Sequence, residues 1–103
     1  MPTENEIKKN IKDLEKEIGK LEPKLAPLRE ASEAANLTAA DALREWHSGN
    51  IGDGDLSKVQ GKAMVAAQRL GVVNSQLAEA KDALSKSLKA LADLQRQIEA
   101  QKE

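Results

Sequence analysis

A chain of 103 residues with one aromatic side chain, Trp46, and no Phe, Tyr or Cys has only Leu, Ile, Val and Ala from which to build a modest core. The lack of cysteine excludes disulfides, thiolate metal sites and thiol nucleophiles. Charged residues of both signs make up 32% of the chain with a net charge of -1, which provides no basic field to hold the phosphates of nucleic acid.

The first element begins with a capping-box spacing, Thr3 followed three residues later by Glu6, in which each side chain can satisfy an orphan amide of the first turn. From there apolar residues alternate in steps of four and three: Ile7, Ile11, Leu14, Ile18, Leu21, Leu25 and Leu28. That is the seam of a coiled coil. The same phase runs on through Ser32, Ala35, Ala39 and Ala42 to Trp46, so one stripe spans a first arm of about residues 4–47. Pro23 and Pro27 lie off the seam; each removes a helical hydrogen bond and crowds the preceding turn, which predicts a kink there. Thr38 followed by Asp41 also has the spacing of a fresh helix start, which would divide the arm near Asn36.

Ser48 to Asp55 contains Gly49, Gly52 and Gly54. Three glycines permit the positive φ values a chain reversal uses, and the turn is predicted over about 48–55. A second arm follows over about 56–100, with Asp55 or Ser57 as candidate N-caps. Its stripe is Leu56, Val59, Ala63, Ala66, Leu70, Val73, Leu77, Ala80, Leu84, Ser87, Leu91, Leu94 and Ile98, interrupted by Ser87 alone. Matching side-chain sizes sets Ala35, Ala39 and Ala42 against Ala66, Ala63 and Val59, and Leu25, Ile18 and Ile11 against Leu77, Leu84 and Leu91. The fold class is therefore all-α: one domain, residues 1–103, forming a long antiparallel helical hairpin.

Outside the seam the two ends differ. Toward the open end the outer positions are charged, whereas near the turn they include Ala31, Ala34, Leu37, Ala40 and Leu43 on one arm and Met64, Val65, Ala67 and Val72 on the other. Two helices cannot bury both a seam and its outer face. The expected partner-binding residues are Ala34, Leu37, Leu43, Trp46, Gly61, Met64, Val65 and Val72, with Gly61 letting another backbone approach closely. The expected partner is a second copy, giving a four-helix bundle, or another protein.

Chemistry is sparse. His47 beside Ser48, Asp53 and Asp55 has no walled pocket in which a base could activate a nucleophile, and two carboxylates fall short of a cation site. No glycine loop of the phosphate-binding kind occurs. The chain reads as a non-enzyme with no metal and no cofactor. No run reaches the ~20 apolar residues of a membrane span, and Met1 to Glu6 lack the pattern of a cleaved signal, so the expected location is cytoplasmic.

Two resemblances attach to the turn. With Trp46-His47-Ser48-Gly49 at the midpoint of about a hundred residues, the chain resembles the small Trp-x-Gly helical hairpins of type VII secretion. That resemblance implies Trp46 and Gly49 as turn residues, dimeric four-helix bundles and export without a cleaved signal. Two residues separate Trp46 from Gly49 where that family has one, and no tyrosine is present for its export signal. Gly54-Asp55-Leu56-Ser57 is similar to the tip of Gre-type transcript-cleavage factors, which implies an acidic tip, Asp53 and Asp55, entering a polymerase channel or another partner's groove. Lys58 stands where that family has an acidic residue. Small helical hairpins encoded by phages as scaffolds or inhibitors share the same layout.

Overall fold

The computed structural model describes residues 3–102. It is an all-α helical hairpin: α1, Glu4–His47, and α2, Asp53–Lys102, joined by a short turn. No strand occurs among the described residues.

The N-terminus of α1 is closed as its spacing predicts. Glu6 N–H donates to Thr3 Oγ1 at 3.2 Å, and Thr3 N–H donates to Glu6 Oε2 at 3.3 Å. The helix then continues through Pro23 and Pro27 without a break. It also continues through Asn36 to Asp41, so the fresh start near Thr38 is not used. Thr38 Oγ1 instead donates to the Ala34 carbonyl at 3.0 Å, the back-bond of a threonine inside a helix.

Every seam position from Ile7 to Ala42 and from Leu56 to Ile98 is buried or half-buried, so the heptad phase holds along both helices. The chain divides into two compact units. A distal unit holds residues 1–22 and 75–103, and a turn-proximal unit holds residues 23–74. In the distal unit the most buried apolar side chains are Ile7, Ile11, Ile18, Leu21, Leu77 and Ala80. In the turn-proximal unit they are Ala42, Leu56 and Ala63, with Ser32 also buried.

The register within the distal unit differs from the size-matched pairing. That pairing sets Asn10 opposite Ala92, but Asn10 Nδ2 donates to Ser87 Oγ at 3.0 Å. Leu14 and Glu17 likewise share an open groove with Gln76, Glu79, Ala80 and Ala83, about one helical turn from where size matching sets them. The reason is the layering of antiparallel coiled coils, in which an a position of one helix packs level with a d position of the other. Matching sizes pairs a with a and d with d, which slides one arm along the other.

The turn and the exposed face beside it

The turn is shorter than its glycines suggest. Gly49 alone among the described residues has a positive φ, 79°, and it ends α1 in a Schellman motif. Gly49 N–H donates to the Trp46 carbonyl at 3.0 Å, and Asn50 N–H reaches back to the Glu45 carbonyl at 2.9 Å, which satisfies two of the four carbonyls a helix end leaves open. Asn50 Nδ2 also donates to Glu45 Oε2 at 2.6 Å. Leu56 N–H donates to the Gly52 carbonyl at 3.2 Å, so α2 begins at Asp53 and neither Asp55 nor Ser57 is its N-cap. Both Asp53 and Asp55 lie in the first turn of α2, where carboxylates complement the positive end of the helix dipole.

Trp46 fastens the end of α1 to the start of α2. Its Nε1–H donates to Asp53 Oδ1 at 2.6 Å, and its ring lies against His47, centroid to centroid 5.0 Å. The indole remains 37% exposed. His47 itself is exposed on the last turn of α1, and no group of three His, Asp or Glu side chains is placed to hold a metal among the described residues.

The predicted partner-binding residues are largely uncovered. Leu37 is 69% exposed and Met64 64%, and Leu43, Val65 and Val72 are also open to solvent, as are Ala34 and Gly61. They do not form one continuous patch. Lys58, Gly61, Lys62, Val65, Ala66 and Arg69 line an open groove along α2, and Val72, two turns beyond Val65, continues the same stripe. Met64 and Leu43 fall on the other flank of the seam, by their helical offsets from Ala63 and Ala42. Sequence reading missed Leu88, 48% exposed in the distal unit. Its signal was available: it directly follows the seam residue Ser87 and so falls outside the stripe.

What the sequence also left unremarked is the charge on this groove. Between Leu56 and Ala78 the chain has no Asp or Glu, and its only charges are Lys58, Lys62 and Arg69. The ion pairs of the described residues lie within single helices: Lys8–Glu4, Arg44–Asp41, Lys86–Asp82 and Arg96–Asp93. The three cations of the groove belong to none of these. No helix among the described residues is long and apolar enough to cross a membrane.

Comparison with known proteins adds no relative to this geometry. No protein-family model matches the chain, and no curated protein or solved structure is significantly similar to it.

Proposed function

We propose that the protein is a non-catalytic interaction module, a structural or adaptor component that self-associates through its turn-proximal unit. The observation that carries this reading is the distribution of large exposed apolar side chains. Among the described residues Leu37, Leu43, Trp46, Met64, Val65 and Val72 lie in the turn-proximal unit, against Leu88 alone in the distal one. Their confinement to one unit of a small chain supports a contact surface there, with Val65 and Val72 on one stripe of α2 as its core.

A partner that instead took the acidic tip would compete with Trp46 for Asp53, because that carboxylate already accepts the indole N–H.

Sedimentation equilibrium of the full chain tests the proposal. It should show an oligomer at tens of micromolar, and the Val65→Glu/Val72→Glu double variant should sediment as a monomer with unchanged helical circular dichroism. A parent chain that remains monomeric throughout that range removes the reading.

A further inference from the structure

The groove on α2 sets the apolar Val65 among Lys58, Lys62 and Arg69, and Val72 follows it on the same stripe. Those five residues follow one another in steps of four and three, a second helix-packing stripe beside the seam. The flank it occupies is shared by both arms. In the distal unit the corresponding positions of both helices, Glu17 on α1 with Gln76 and Ala83 on α2, line one side of the hairpin. By heptad position, the same flank within the turn-proximal unit holds Ala31, Ala34, Thr38, Asp41 and Glu45 on α1. Its α1 stripe is small and acidic, and its α2 stripe is larger and basic.

We infer that the occupant of the α2 groove is α1 of a second copy, with the two hairpins joined by a two-fold axis running along the helices and both turns at the same end. This inference rests on the self-association proposed above and specifies its geometry. Charge decides between the two closed arrangements. A two-fold axis across the helices would lay α2 on α2 and set stripes whose only charges are Lys58, Lys62 and Arg69 against each other, with no carboxylate between Leu56 and Ala78 to relieve them. An axis along the helices lays α1 on α2. It sets Ala34 of one copy over Val65 of the other and Asp41 beside Lys58. The alanines let the helices approach closely, and Gly61 leaves the groove open, with nothing within 4 Å of where its Cβ would stand. Asp41 is held in its own chain only by Arg44 at 2.9 Å, in an exposed pair of the kind that contributes little, so it can turn to a new cation.

Charge reversal on both sides of this contact tests it. Lys58→Glu alone and Asp41→Lys alone should each weaken self-association about tenfold, since two opposite pairs per dimer become two like pairs. An equimolar mixture of the two variants should recover the parent affinity, because both contacts of the mixed dimer then pair opposite charges. If the parent chain associates but the reversals leave it unaffected, or the mixture is no tighter than either variant, the α1-on-α2 arrangement is wrong and self-association stands. If the parent chain is a monomer, both fall together.

Discussion

Trp46 is the chain's only aromatic residue, and its position at the end of a seam invites a reading as a contact residue for a partner. The hydrogen bond from its Nε1 to Asp53, at 2.6 Å, gives it a second role, that of tying the last turn of α1 to the first turn of α2. A hydrogen bond to a carboxylate is worth ~1.5–3 kcal/mol when buried, and less here because both residues are exposed. Asp53 also gains from the helix N-terminus. Asp53→Ala should therefore destabilise the hairpin by about 1–1.5 kcal/mol. Trp46→Phe, which keeps an aromatic ring but loses the N–H, should cost less than that. The double variant should cost less than the two singles together, since they break the same bond. Strict additivity in urea unfolding would mean that the bond does not fasten the turn.

The helices themselves were legible because a period of alternating fours and threes survives every local disturbance. Ser32, the alanines and both prolines leave the phase unchanged, and burial follows it on both arms. The register was not legible, for a physical reason. Two heptad stripes can slide past one another by half a repeat and still meet apolar to apolar, so the sequence pattern is nearly indifferent to the choice. Asn10 and Ser87 distinguish the registers, because only one of them brings the amide within reach of the hydroxyl. The turn was half legible. Its location follows from the glycines, but which of them adopts the left-handed conformation depends on where the Schellman bonds close, and only Gly49 does so. The other helical glycines have no such duty. Gly19 and Gly71 lie inside helices with nothing within 4 Å of a built Cβ, so Gly19→Ala and Gly71→Ala should each stabilise the chain by about 0.5–1 kcal/mol. Gly49→Ala should have the opposite sign, by about 1–2 kcal/mol, because φ 79° strains any residue with a Cβ. Thermal melts of the three variants check both directions.

The two units draw on different core materials. Burying a Leu or Ile is worth ~1.5–3 kcal/mol, against ~0.8 for each methylene-sized group, so the distal unit, with Ile7, Ile11, Ile18, Leu21 and Leu77 buried, gains more from its core than the turn-proximal unit, where Leu56 is buried among Ser32, Ala42 and Ala63. The less stabilised unit is also the one that leaves Leu37, Met64, Val65 and Val72 uncovered. Association through that surface would add burial where the intrachain core is weakest. Local opening should therefore depend on protein concentration in one unit and not in the other. Amide exchange of the segments around Ser32 to Ala42 and Leu56 to Val73 should slow by up to about threefold for each tenfold rise in concentration through the dimerisation range, because the monomer fraction of a dimer falls as the square root of concentration. Exchange between Ile7 and Leu21, and between Leu77 and Leu91, should change far less, because the Ile and Leu seam there is closed within one chain. Equal slowing in both units would mean that the whole chain orders only on association, and exchange independent of concentration everywhere would mean that the exposed apolar residues near the turn are not covered by a second copy.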